Sequence, residues 1–137
     1  MTLLISLESP FASDPIENIH YAYECCKDSI AKGESPYASH LLFPQFLDDK
    51  DPAARAAGLR LSDAWRHKAD KIVFYTDKGW SAGMQHALDF VKAHGKGAEF
   101  RALSGQLDAT LLASLGIKVE EAPADPFGLK DIFITLD

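Results

Sequence analysis

Cysteine is scarce in this chain, and a long apolar run is missing altogether. The two cysteines, Cys25 and Cys26, are adjacent. Neighbouring residues on a helix point about 100° apart, so these two do not readily pair with each other. There is no CxxC and no Cys/His spacing suited to zinc, so neither a disulfide scaffold nor a zinc module is expected, and no metal or other cofactor is implied. No apolar stretch approaches the roughly 18 residues of a membrane span, and the first residues lack the basic flank and apolar core of a signal peptide. Positive charge is in deficit too: Lys+Arg is 14 against Asp+Glu 20, a formal charge of -6. That balance argues against a nucleic-acid polymer or a membrane as partner, while leaving room for a local basic pocket that holds one small anion. Internal repeats, linkers and low-complexity segments are also absent. What remains is 137 residues with 47% hydrophobic and 25% charged, the make-up of a soluble, cytoplasmic globular protein. The expectation is one domain over residues 1–137, large enough to bury roughly two-thirds of its unfolded surface without a covalent or metal staple.

Hydrophobic periodicity orders the chain as alternating strands and helices. Leu3 to Leu7 reads as a buried strand. Asp14-Pro15 with Glu17 reads as a helix start: a capping side chain, proline in the first turn, and an acid at the positive end of the dipole. Ile16, Ile19, Tyr23, Cys26 and Ile30 recur at three- and four-residue steps as its apolar face, and Gly33 stops it. Tyr37 to Phe43 is the second strand candidate. A second helix opens at Asp51-Pro52, with Ala54, Ala57, Leu61 and Trp65 on one face. Lys71 to Thr76 is the best strand, followed by a helix over Ser81 to His94 with Met84, Ala87, Leu88 and Val91 inward. Glu99 to Leu103, a short helix over Leu107 to Leu115, a proline-bearing loop around Glu121 to Gly128 and a strand over Asp131 to Leu136 complete the chain. This alternation predicts a three-layer α/β domain, flavodoxin-like or Rossmann-like, with a mostly parallel sheet of about five strands.

Parallel sheets gather loops and helix N-termini at the carboxyl ends of their strands, and ligands bind there. That rule nominates Glu8 to Asp14, His40 to Asp51, Thr76 to Gly83 and Ser104-Gly105. In the third stretch two glycines and Ser81 precede a helix, where unpaired N–H groups, a hydroxyl and the dipole would accept a phosphate or carboxylate. The alternative is that Ser81 is only a cap and the glycines only permit the turn. His40 either lines a pocket or is a packed or surface histidine. Asp48, Asp49 and Asp51 are better accounted for as turn and cap residues than as metal ligands.

Several strings occur in order: Ser9-Pro10-Phe11, Glu17-Asn18-Ile19 with Tyr21-Ala22, the run from His40 to Asp49, Ala69-Asp70, and Ser81-x-Gly83-Met84. Together, over roughly Leu3 to Leu103, they resemble the nucleoside 2-deoxyribosyltransferase-like family in its small phage and bacterial branch, which includes 2'-deoxynucleoside 5'-phosphate N-hydrolase-like proteins. The resemblance implies a flavodoxin-like, homo-oligomeric protein that binds nucleosides or their 5'-phosphates and cleaves or exchanges the N-glycosidic bond. It implies catalysis by a glutamate on the helix after the third strand, attacking the anomeric carbon, an assisting aspartate matching Asp70, and a phosphate-binding serine matching Ser81. It further implies that Ser9, Pro10, Phe11, His40, Gly83 and Met84 belong to the substrate site. The nucleophile's position is occupied by Ala87. Among the acids nearby, Asp77 is the more plausible substitute, because a loop can aim a side chain where a helix face cannot. Three readings therefore stand side by side: an enzyme of the N-glycosidic bond using Asp70 or Asp77, a non-catalytic nucleotide-binding module, and an interaction scaffold.

Overall fold

The computed structural model describes residues 1–120 and 133–136, with side chains through residue 118. Six strands form one sheet in the order β2-β1-β3-β4-β6-β5. Strands β1 (Leu4–Glu8), β2 (Ser35–Tyr37), β3 (Lys71–Tyr75) and β4 (Ala98–Arg101) are all mutually parallel. Strand β6 (Phe133–Leu136) runs antiparallel to both β4 and β5 (Ile117–Glu120). Helices α1 (Pro15–Ala31), α2 (Pro52–Lys68), α3 (Ala82–His94) and α4 (Ala109–Ser114) connect the strands. The doubly wound α/β arrangement, flavodoxin-like and Rossmann-like, is the one the alternation predicts.

Strand β3 shows why the sheet is covered on both faces. Successive side chains point to opposite sides, so Ile72 and Phe74 enter one core with Met84, Ala87, Leu88 and Val91 of α3. Val73 and Tyr75 enter the other with Ile5, Leu7, Tyr21 and Cys25. Helix starts follow the caps read from the sequence: Asp14 accepts from the Glu17 N–H, Asp51 from the Ala53 N–H, and Ser81 from the Met84 N–H. Gly95 ends α3 at φ 63°, a left-handed conformation that costs other residues more.

Four expectations need correction. The buried face of α1 is Asn18, Tyr21, Ala22, Cys25 and Ser29, whereas Ile16, Tyr23 and Ile30 are exposed. The helix is turned by one residue, about 100°, because small side chains and Tyr21, whose hydroxyl donates to Asp77 at 2.6 Å, fit close against the sheet. Helix α2 is also turned by one residue, in the opposite sense: Ser62 and Arg66 are buried while Leu61 and Trp65 face outward, Trp65 stacking on Tyr37 at 4.8 Å. The second strand ends at Tyr37, and the apolar run expected to continue it folds into two 3-10 turns, Ser39–Leu41 and Phe43–Gln45. The second turn carries Pro44, which has no N–H to give a ladder. Strand β5 was not expected at all. The loop predicted around Glu121 to Gly128, and the first residues of the strand predicted from Asp131, lie outside the described residues.

Candidate functional site

A cleft of about 130 Å³ opens at the carboxyl ends of β1 and β3. Its walls come from three nominated loops and from one helix that carried no nomination. Glu8, Ser9, Phe11 and Ala12 follow β1; Ser39, His40, Phe43, Pro44, Leu47 and Asp49 follow β2; Ser81, Ala82 and Gly83 begin α3. The remaining wall is α2, through Ala54, Arg55, Gly58, Leu59, Ser62 and Arg66.

The floor is ionic. Glu8, at the end of β1, receives both Nε and Nη2 of Arg66 at 2.9 and 3.1 Å, and the Ser6 hydroxyl donates to the same carboxylate at 2.9 Å. Arg66 is 2% exposed and Glu8 4%, so each charge depends on the other to be stable out of water. Arg66 also donates to Asp63 at 2.7 Å, and Asp63 meets His86 of α3 at 2.8 Å, tying α2 to α3. Burial opposes the charge on Arg66, but Glu8 and Asp63 outweigh it and raise its pKa.

On the adjoining wall Ser9 and His40 share a hydrogen bond of 2.7 Å between Oγ and Nε2. Burial lowers the pKa of His40, with Arg66 acting in the same direction and Glu8 against it, so the imidazole is neutral at physiological pH. Opposite, the first-turn N–H groups of α3 have no intrahelical partners, and Ser81 Oγ already accepts the Met84 N–H at 3.2 Å. A Cβ placed on Gly83 would meet only Ser81 Oγ, at 3.9 Å. Nothing among the described residues requires glycine there; its effect is to leave the helix backbone open to whatever occupies the cleft.

The structure thus gathers Ser9, Phe11, His40, Ser81 and Gly83 on one cavity, and separates four other residues from it. Pro10 is buried within the turn between Ser9 and Phe11. Met84 is 1% exposed and belongs to the apolar core. Asp70 sits at the amino end of β3, across the sheet from the cleft, where its carboxylate accepts the Leu4 N–H at 2.6 Å. Asp77 accepts from the Tyr21 hydroxyl at 2.6 Å and from the Leu103 and Ser104 N–H groups at 2.7 and 3.1 Å. Burial pushes its pKa up, but those donors outweigh burial and the net shift is downward. It is the tie between the ends of β3, β4 and α1. Ala87 is fully buried among Ile72, Phe74 and Leu88 and does not line the cleft. Trp80, in the loop before α3, packs on Phe74 and Phe100.

Four charged residues on the cleft escaped sequence reasoning. Glu8 falls inside a nominated stretch without having been singled out, and Asp49 was read only as a turn residue. Arg55 and Arg66 lie on α2, and the signal was present: positions 55, 58, 62 and 66 recur at helical steps and combine arginine, glycine and serine, a polar stripe about 100° from the exposed apolar one. Among the described residues no group of three or more His, Cys, Asp or Glu side chains is placed to hold a metal ion, and no helix is long and apolar enough to cross a membrane.

No curated protein matches the chain. Residues 3–101, which run from β1 through β4 and include every segment lining the cleft, match the family described as a domain of unknown function (DUF7768), and the chain belongs to that family.

Proposed function

We propose that the cleft binds a nucleoside or nucleoside 5'-phosphate, with the sugar against Ser9 and His40 and the phosphate at Ser81 and the first turn of α3. The observation that carries this reading is the convergence of Ser9, Phe11, His40, Ser81 and Gly83 on one cavity from three separate loops. Those are residues that the resemblance to nucleoside 2-deoxyribosyltransferase-like proteins assigns to the substrate site. The cavity is concave and mixes apolar walls with a few polar groups, as small-molecule sites do.

For the chemistry, the same geometry favours a binding module over an N-glycosidic hydrolase or transferase. Asp70 and Asp77 are engaged elsewhere, position 87 is core, and Glu8 is neutralised by a two-pronged arginine. Nucleophilic attack on an anomeric carbon needs a carboxylate facing it at close range. The hydrolase reading has one residue in its favour, because Glu8 does line the cleft.

Thermal shift with a panel of 2'-deoxynucleosides and their 5'-monophosphates tests binding, since a ligand that binds only the native state raises the midpoint. Free base measured in the same mixtures tests the chemistry: a shift without base is the expected result, and base release would establish the hydrolase reading. Ser81→Ala is expected to weaken monophosphates more than nucleosides, and equal loss would remove the phosphate assignment. Ala87→Glu is expected to destabilise the fold by about 3 kcal/mol or more, because it places a carboxylate in an apolar core without a partner. A stable Ala87→Glu protein that released base would show that position 87 reaches the cleft.

A further inference from the structure

Two arginines line the cleft, and they are bonded very differently. Arg66 spends Nε, Nη1 and Nη2 on Glu8 and Asp63, and its side chain is 3% exposed. Arg55, one turn into α2, uses only Nη1, which is shared between both oxygens of Asp49 at 3.2 Å each. Nε and Nη2 of Arg55 have no hydrogen-bond partner among the described residues, and the side chain is 35% exposed. An arginine fork meets a carboxylate or phosphate best through two parallel N–H···O bonds at about 2.7–2.9 Å. The Arg55–Asp49 contact is longer and single-pronged, and pairs this exposed are held weakly. The guanidinium is thus parked beside the cavity with most of its donors unspent.

We infer that Arg55 is the residue that distinguishes a phosphate monoester from its unphosphorylated counterpart in this cleft, and that Asp49 competes with the ligand for it. A dianionic phosphate offers three acceptor oxygens and more charge than the Asp49 carboxylate, so it outcompetes that carboxylate for the fork, whereas a neutral nucleoside has nothing to offer it. Asp49 serves the empty protein by pairing an otherwise lone cation, and its own negative charge beside the guanidinium disfavours weak monoanions. The inference rests on the reading of the cleft as a nucleotide site and adds to it the group that selects the phosphate.

The test is calorimetric titration of wild type, Arg55→Gln and Asp49→Asn with a 2'-deoxynucleoside, its 5'-monophosphate, ribose 5-phosphate and inorganic phosphate. Wild type is expected to prefer the monophosphate over the nucleoside. Arg55→Gln should weaken the monophosphate about tenfold, the scale of one charge-assisted contact, and leave the nucleoside unchanged. Asp49→Asn should tighten the monophosphate, a change that loss of a merely structural ion pair would not produce. The sugar phosphate and inorganic phosphate tell whether the phosphate alone or its attachment to a nucleoside is recognised. If Arg55→Gln kept the full preference for the monophosphate, the inference would fall while the nucleotide reading stood. If none of the four probes bound wild type, both would fall together.

Discussion

Helices α3 and α2 face each other across the cleft and are attached to the sheet by opposite means. Helix α3 lays Met84, Ala87, Leu88 and Val91 into the apolar core, every one of them no more than 1% exposed. Helix α2 turns Leu61 and Trp65 outward and instead buries Arg66 against Glu8 at the end of β1. One wall is held by non-directional burial and the other by a few directional charge contacts. An apolar wall tolerates changes of side chain that conserve volume. An ionic wall tolerates removal of both partners far better than removal of one. A binding cleft gains from the second kind of wall, because polar groups that hold the helix also border the cavity.

The sharpest way to break the comparison is to cut the ionic attachment on one side only. Arg66→Met leaves the Glu8 carboxylate buried with only Ser6 to serve it, and is expected to cost about 3–5 kcal/mol in urea denaturation. The double variant Glu8→Leu/Arg66→Met should recover most of that loss, since two apolar side chains can take the volume of a buried pair. If the double variant were as unstable as the single one, the wall would depend on something other than charge pairing. Next in size, Leu88→Ala on the apolar wall should cost about 3 kcal/mol, and no second substitution at an ionic partner should compensate for it. The pair of results sharpens the contrast: compensation on α2 and none on α3.

The smallest expected effect concerns pH. His40 has a folded pKa below its ordinary 6.5, because burial disfavours the imidazolium. Above pH 6.5 it is neutral in both folded and unfolded chains and has no effect on the slope. As pH falls below 6.5 the unfolded chain takes up a proton that the folded chain refuses, so stability is lost until the folded pKa is passed. His40→Gln should therefore flatten the acid side of a stability–pH curve in that window. An unchanged slope would show that the ring is protonated in place.

The contrast between the walls also explains what could be read from the amino acids. The buried face of α3 is legible because apolar residues at helical spacing are what burial selects. On α2 the same counting picks Ala57, Leu61 and Trp65, yet long-range pairing with Glu8, 58 residues away, turns the helix until Arg66 is inside. Tyr21 does the same to α1 by reaching Asp77. No local pattern encodes a partner so distant in sequence. The loops at the carboxyl ends of β1 and β3 were legible because topology dictates where ligands go, and Ser9, His40 and Ser81 lie where that rule puts them. Asp70 was nominated by the resemblance and not by that rule, and it stands at the amino end of β3, the end of the sheet away from the cleft. Arg55 was overlooked because its partner, Asp49, lies in the loop before the helix and not at a helical step, so only the polar spacing it shares with Gly58, Ser62 and Arg66 marked it.

The measurement that bears most directly on the account is a calorimetric titration of the intact wild-type chain with a 2'-deoxynucleoside 5'-monophosphate and with the matching nucleoside. Saturable one-site binding of both, tighter for the monophosphate and lost in Ser9→Trp, which fills the cleft, is the predicted result. Absence of heat and of any thermal shift with either compound, at concentrations up to the millimolar range, would contradict it.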